Sequence, residues 1–349
     1  MAELIDISCK ENRDKLVKRL SRIVQSANIN FLVGSGCSYP AINVLGDIER
    51  KIIEARTNGK DDLAEQILHD FLIPFLYNTK LLLENDIVTV KSVIENYKIF
   101  LNNISNLLFN RKSNIIPSQA IIFTTNYDLL FEYAMIDYND NFILCDGFKR
   151  TSNINGEYYF SSTEYFNTIF NTGNLYRYKV EIPTINLIKL HGSLNWQKRG
   201  EKIIQNLSYI EDAFKIKNSK NIVDIKKFNS LFNIVLPQDN KLKLTILEET
   251  YYDLLRIYSN ELDKENTILI VEGFSFADQH ILEITRRALK NKTFTLIVFC
   301  FNNDDSLSLT NVFNSYRNVY IISNSDDDID FKQFNNILSD IIIVDDDES

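Results

Sequence analysis

Seven short runs rich in β-branched and aromatic residues constrain this chain more than any other feature. They are Asn30 to Val33, Ala120 to Thr124, Ile185 to Leu190, Asn233 to Leu236, Thr267 to Val271, Phe294 to Phe301 and Val319 to Ile322. Each has ordinary strand length. Helix-period segments separate them. Leu16, Leu20, Ile23 and Val24 mark one helical face, and Leu247, Tyr251, Leu254, Leu255 and Tyr258 another. Asp278 to Leu289 reads as a helix with Asp278 as its N-cap, since a carboxylate there accepts the unpaired first-turn N–H groups. Strands alternating with helices give an α/β fold, a mainly parallel sheet with helices on both faces. Ligands of such sheets bind beyond the carboxyl ends of the strands.

Two regions interrupt the alternation. Residues 60–112 carry the apolar face Leu68, Phe71, Leu72, Phe75 and Leu76 with no clear strand, which predicts a helical insertion. Residues 146–181 are rich in Tyr, Phe, Asn, Gly and Thr, which predicts an irregular lid or cover. With no repeat and no proline-rich linker, residues 1–349 read as one domain ending in an acidic tail at 341–349. The four cysteines, Cys9, Cys37, Cys145 and Cys300, are far apart, with no C-x-x-C pair to suggest a zinc site or a disulfide framework. No apolar run reaches membrane-span length and the N-terminus lacks a signal-peptide layout, so the expected address is the cytoplasm, away from the membrane. A formal charge of -9 argues against direct nucleic-acid binding.

Four strand ends carry chemistry. The run into Gly34-Ser35-Gly36-Cys37-Ser38 is a glycine turn, read either as a phosphate cradle or as a tight turn with no ligand. Tyr39 stands where G-x-G-x-x-G would place its third glycine, and no acidic ribose ligand ends a second strand about 20 residues on. The dehydrogenase fingerprint is therefore incomplete. A second run ends in Thr124-Thr125-Asn126-Tyr127-Asp128. Asn126 offers an uncharged donor and acceptor and Asp128 can accept ribose hydroxyls, or either residue caps the helix that follows. The third ends in His191-Gly192-Ser193, where the imidazole can take a proton near neutral pH or sit hydrogen-bonded in the core. The fourth, Glu272-Gly273-Phe274-Ser275-Phe276-Ala277-Asp278, repeats the layout of strand, glycine turn and capped helix. It reads either as a seat for a second phosphate or ribose or as a plain connection.

Taken in order, GSGCS, TTNYD, LHGSLNW and GFSFADQHI resemble the Sir2-like (sirtuin-like) families of bacteria, over residues 30 to 300. The resemblance implies a Rossmann-like sheet that binds nicotinamide adenine dinucleotide (NAD). It implies that Gly34, Ser35, Gly36 and Ser38 hold the pyrophosphate side, and that Thr125, Asn126 and Asp128 hold the ribose and nicotinamide. His191 would face the reacting sugar, while Gly273, Ser275 and Asp278 approach the adenosine half. The departures are informative too. The chain lacks the four-cysteine zinc module of protein-deacylating sirtuins, so no zinc is expected, and Tyr39-Pro40-Ala41-Ile42-Asn43 replaces their Ile-Pro-Asp-Phe-Arg-like segment. TTNYD with GFSF is more similar to zinc-free members from antiphage systems.

That resemblance implies an NAD+ hydrolase (NADase) that releases nicotinamide and ADP-ribose as the toxic effector of antiphage defence, with Asn126 and His191 catalytic. Three alternatives stay open: an ADP-ribosyl transferase, an NAD-dependent deacylase, or a non-enzymatic nucleotide-sensing subunit. Such an effector requires control, which points to a homo-oligomer and a partner. The chain has no G-x-x-x-x-G-K-[ST], so a motor would be a separate polypeptide. A HerA-type ATPase is favoured over an Argonaute-like guide protein or another sensor.

Overall fold

The computed structural model of the protein describes all residues except 43–47, 112–115, 137–141, 152–153, 155, 173–178, 233, 235–245 and 348–349. The chain begins with β1 (Glu3–Asp6), α1 (Lys10–Ser26), β2 (Asn28–Val33) and a single 3-10 turn at Ser35–Ser38. Three helices follow, α2 (Ile48–Thr57), α3 (Asp61–Leu83) and α4 (Lys91–Phe109), before β3 (Gln119–Thr124), α5 (Leu130–Ala134) and β4 (Ile143–Cys145). Short strands come next: β5 (Phe148–Lys149), β6 (Tyr159–Phe160), β7 (Phe170–Thr172) and β8 (Lys179–Glu181). Then come β9 (Thr184–Lys189), β10 (Trp196–Arg199), β11 (Lys202–Gln205), α6 (Tyr209–Ile216), α7 (Ile222–Ser230) and α8 (Ile246–Leu262). The last third alternates β12 (Thr267–Glu272), α9 (Gln279–Ala288), β13 (Phe294–Phe299), α10 (Asn303–Phe313), β14 (Val319–Ser323) and α11 (Phe331–Asp347).

Eight strands form one sheet in the order β1-β14-β13-β12-β2-β3-β9-β4, every neighbouring pair parallel. This is the expected Rossmann-like α/β sheet. Burial on both faces explains the largely apolar runs: all six residues of β9 and of β12 are buried, although β9 carries Thr184, Asn186 and Lys189. Alternate residues serve opposite faces. Phe31, Ile122 and Ile270 pack with Leu20, Ile104 and Phe334 on one side, and Leu32, Phe123 and Leu269 with Leu254, Tyr258 and Ile281 on the other. From β2 the chain builds through β3 and β9 in one direction, and β12, β13 and β14 build in the other. The strand order therefore reverses between β2 and β12, the position where open α/β sheets bind ligands.

Some expectations are corrected. Edge strand β1, half-exposed and mostly polar, gave no apolar run, and Phe301 lies outside β13 and is exposed. Most of the Asn233 to Leu236 run lies outside the described residues; Ile234 within it makes one isolated bridge to Gly192. The segment expected as an irregular lid contains β5 and β6, which join β10 and β11 in a four-stranded antiparallel sheet. Strands this short show no period, and an aromatic cluster of Phe148, Phe160 and Trp196 holds them. The acidic end is largely helical: α11 runs to Asp347, with Ile337, Leu338 and Ile341 buried at helical spacing. Among the described residues no helix is long and apolar enough to cross a membrane.

Candidate active site

Register places the site. Val33 pairs with both Thr124 and Glu272, and Thr124 pairs with Lys189, so β12, β2, β3 and β9 end level with one another. The four motifs that follow these strands therefore share one edge of the sheet.

The two glycine turns touch. Gly34 N–H donates to the Glu272 carbonyl and Gly36 N–H to the Gly273 carbonyl, both at 3.0 Å. A Cβ on Gly34 would stand 2.2 Å from Gly273 O, and one on Gly36 would stand 2.8 Å from Gly273 Cα. Gly273 has φ +66°, in the left-handed region. The need for glycine at Gly34 and Gly36 thus comes from the second turn packing on the first, which replaces the expected reason, admission of a phosphate. Ser35 is half-buried and Ser275 exposed.

Ser38, expected on the pyrophosphate side, has its hydroxyl turned into the protein. It is buried, donates to Asp128 Oδ2 (2.8 Å), and accepts from Asn126 Nδ2 (3.1 Å). Since its single proton goes to Asp128, the Tyr97 hydroxyl at 2.8 Å is a donor to it. Tyr97 comes from α4, so a helix between β2 and β3 braces the site. Burial, followed by the nearby Asp128, pushes the Tyr97 phenol well above its usual range.

Asp128 is likewise committed. Its Oδ2 takes Ser38, its Oδ1 takes the Leu130 N–H (3.2 Å), and only 5% of the residue is exposed. Burial pushes its carboxyl upward against the opposing charge of Lys189. It sits in a buried network just before α5, with Ser38 on one oxygen and the Leu130 N–H on the other. Asn126 differs. Its amide nitrogen donates to Gly34 O (2.9 Å) and Ser38 Oγ, and because a carbonyl only accepts, this fixes which end of the amide is nitrogen. Its backbone N–H donates to Thr124 Oγ1, whose hydroxyl donates to Val33 O. The Asn126 Oδ1 is left without a partner among the described residues and is not sealed from solvent.

His191 follows β9, and Gly192 after it has φ +84°, which only glycine adopts without strain. His191 Nε2 lies 2.9 Å from Asp278 Oδ2, with both side chains at or below 10% exposure. The Asp278 Oδ1 accepts the N–H groups of His280 (2.8 Å) and Ile281 (3.3 Å), so the same carboxylate caps α9. Burial pushes this carboxyl up, but the His191 hydrogen bond and charge, with the two N–H donors, outweigh it and hold it below the usual range. Asp278, expected near the adenosine half, stands beside His191. It also accepts the first-turn N–H groups of α9, as expected of an N-cap.

Lys189 had no role in the sequence reading, yet it is 3% exposed and pairs with Glu132 Oε1 (2.7 Å), Ser193 Oγ (2.9 Å) and the Asp128 carbonyl. It laces the Asn126 loop to the His191 loop. A lysine inside the apolar run Ile188-Lys189-Leu190 was the signal available for it. Tyr97 left no local signal, because its partner is 59 residues away. Cys37 is buried beside these turns, and burial pushes its thiol well above the usual range, so it is no nucleophile. Among the described residues no group of three His, Cys, Asp or Glu side chains converges as a metal site needs.

Among the described residues, the unengaged polar groups at this edge include Asn126 Oδ1, His191 Nδ1 and the hydroxyls of Ser35, Thr125 and Ser275, while Glu272 Oε2 and Asn195 Oδ1 are buried without a partner. No curated protein matches the chain. A family model described as a SIR2-like domain matches residues 120–321, from the start of β3 into β14, and so spans Asn126, His191, Gly273 and Asp278. With more than half of the 349 residues matched, on a parallel sheet of the expected kind, the chain belongs to the SIR2-like family.

Proposed function

We propose that this protein is an NAD+ hydrolase that cleaves the bond between nicotinamide and ribose, with Asn126 and His191 at the chemistry. Family membership implies NAD as the bound nucleotide. The observation that carries the hydrolase reading is the pairing of two unengaged polar atoms, Asn126 Oδ1 and His191 Nδ1, on loops that hydrogen bonds tie together. Leu194 N–H donates to Tyr127 O (3.0 Å) and Leu190 N–H to Thr124 O (2.8 Å).

Cleavage builds positive charge on the sugar, so a fixed carbonyl oxygen nearby lowers the barrier. Asn126 Oδ1 suits that role because both amide hydrogens are held elsewhere, leaving the oxygen aimed without reorganisation. Asp128 acts behind it, through Ser38. Thr125 and Ser35 supply hydroxyls for the ribose and phosphate, and Ser275 for the far half of the nucleotide. As the glycosidic bond breaks, its electron pair leaves on the nicotinamide ring nitrogen. The water oxygen bonds to the anomeric carbon, and its proton passes to His191.

The wider role, effector of an antiphage system as a homo-oligomer controlled by a separate HerA-type ATPase, rests on the resemblance of the motifs to such proteins. One experiment tests both levels: incubate the pure protein with NAD, alone and with the product of the adjacent gene, and follow nicotinamide and ADP-ribose by chromatography. Equal amounts of the two free products support hydrolysis. ADP-ribose found on protein identifies a transferase, and tight NAD binding with no turnover in either condition identifies a sensor.

A further inference from the structure

We propose that Asp278 is the positioning residue of this site, fixing His191 as the Nε2–H tautomer and leaving Nδ1 as the nitrogen that accepts the proton. The catalytic half of this statement rests on the hydrolase reading; the tautomer does not.

An ionised carboxylate only accepts hydrogen bonds, so the imidazole nitrogen 2.9 Å from Asp278 Oδ2 must carry a hydrogen. In a neutral ring the other nitrogen then holds the lone pair. That nitrogen, Nδ1, has no hydrogen-bond partner among the described residues and is not sealed from solvent. Asp278 cannot turn away, because its second oxygen is held by two N–H groups of the first turn of α9.

The backbone is bent to deliver this carboxylate. β12 and β9 are separated by β2 and β3, a span of about 14 Å at ordinary strand spacing. The segment from Gly273 to Asp278 crosses those strand ends to reach His191. It turns at Gly273 and again at Phe276, a buried aromatic at φ +58°. A bulky residue in the left-handed region is strained. Phe276 is held there by edge-on packing against Phe274 and Phe313, ring centroids 5.1 Å away in each case. A plain connection into α9 has no need of that strain; presenting Asp278 to a histidine on the far side of the switch point does.

In the reaction, the oxygen that attacks the anomeric carbon gives its proton to Nδ1, directly or through a ribose hydroxyl. The electron pair of the broken bond departs with nicotinamide, and the proton on Nδ1 later leaves to solvent. Asp278 takes up no proton at any stage.

The test is Asp278→Asn, compared with the wild type by nitrogen-15 NMR of the histidine rings at about pH 9, where an ordinary imidazole is neutral. The chain has three histidines, and loss of a signal in His191→Gln assigns the relevant ring. Wild-type His191 is expected as the Nε2–H tautomer. Asparagine caps helices as well as aspartate, so the variant keeps α9 folded, and a thermal melt checks this. Its amide nitrogen then faces Nε2, shifts the ring to the Nδ1–H form, and lowers kcat about 100-fold or more with KM for NAD unchanged. An Nδ1–H ring in the wild type overturns the proposal, as does full turnover in a variant whose tautomer has switched. If the wild type shows no NAD turnover at all, the hydrolase reading fails, and the two NMR spectra still decide whether Asp278 sets the ring.

Discussion

Gly34 and Gly273 meet backbone to backbone across the point where the strand order reverses: a side chain on the first would collide with the carbonyl oxygen of the second, 2.2 Å from where its Cβ would lie. Two turns that look from the sequence like separate phosphate seats are one packed unit. That unit sets the height at which Asn126, bonded to Gly34 O, presents its free oxygen.

Gly34→Ala is therefore expected to destabilise strongly, because backbone cannot move aside as a flexible side chain can. The cost is about 1–3 kcal/mol or more, the range for overpacking a tight site. Gly59→Ala is the comparison: a Cβ there meets nothing within 4 Å, and only its φ of +69° opposes the change. Thermal melts should show the larger loss at Gly34. An equal loss at both positions would mean the contact between the turns is looser than described.

Asn126→Ala and His191→Ala should each abolish NAD consumption, by 100-fold or more on the scale of a lost oxyanion-type or proton-transfer group (about 10² to 10⁴). They should differ in stability. Asn126→Ala frees the Gly34 carbonyl and removes a donor to Ser38, costing about 1–3 kcal/mol, whereas His191→Ala leaves Asp278 still bonded to α9. Nicotinamide release with a melt of each variant separates the two effects. Unchanged turnover in either folded variant would remove that residue from the chemistry.

Lys189→Met should cost about 3–5 kcal/mol, since it strands the buried Glu132 carboxylate, whose Oε2 already lacks a partner. Burial pushes Glu132 upward even with Lys189 beside it. Replacing both, Lys189→Met with Glu132→Leu, should recover most of the loss. A denaturant-unfolding double-mutant cycle measures the coupling, and additive losses would show that the pair contributes nothing.

Glu272 gives the fold a pH dependence. Burial, followed by the nearby Asp330, pushes its carboxyl well above the usual range. The folded state then keeps a proton that the unfolded chain releases above about pH 4.3, so stability falls as pH rises from there toward the folded-state value. Asp278, held below its usual range, acts in the opposite sense: its contribution is present above the unfolded value and is lost as pH falls through the folded one. Glu272→Gln should narrow the difference between melting temperatures at about pH 5 and about pH 8 by raising the latter. An unchanged difference would show that the Glu272 carboxyl ionises normally.

The residues of the site divide by what could be read locally. Asn126, His191, Gly34 and Gly273 all stood at ends of apolar runs, and the ends of parallel strands share one edge, so their gathering was legible. Ser38, Asp128 and Asp278 were legible as polar groups in the right loops but not as to what they bond. Those partners lie 90 residues away for Ser38 to Asp128 and on another strand's loop for Asp278 to His191. Tyr97 and the short antiparallel strands were invisible, one because it lies within an ordinary helical face, the others because two to four residues carry no period.

By itself the sequence determined the parallel sheet, since strands buried on both faces are mostly apolar, and that enrichment is a local property of the chain. It also determined which loops lie at the carboxyl edge and which residue types they carry. Only the tertiary structure decided which of those residues face outward and which are spent on one another. The reason is that a side chain's partners need not be near it in sequence: the fold brings Asp128 to Ser38 and His191 to Asp278, and among the described residues it brings none to Asn126 Oδ1 or His191 Nδ1.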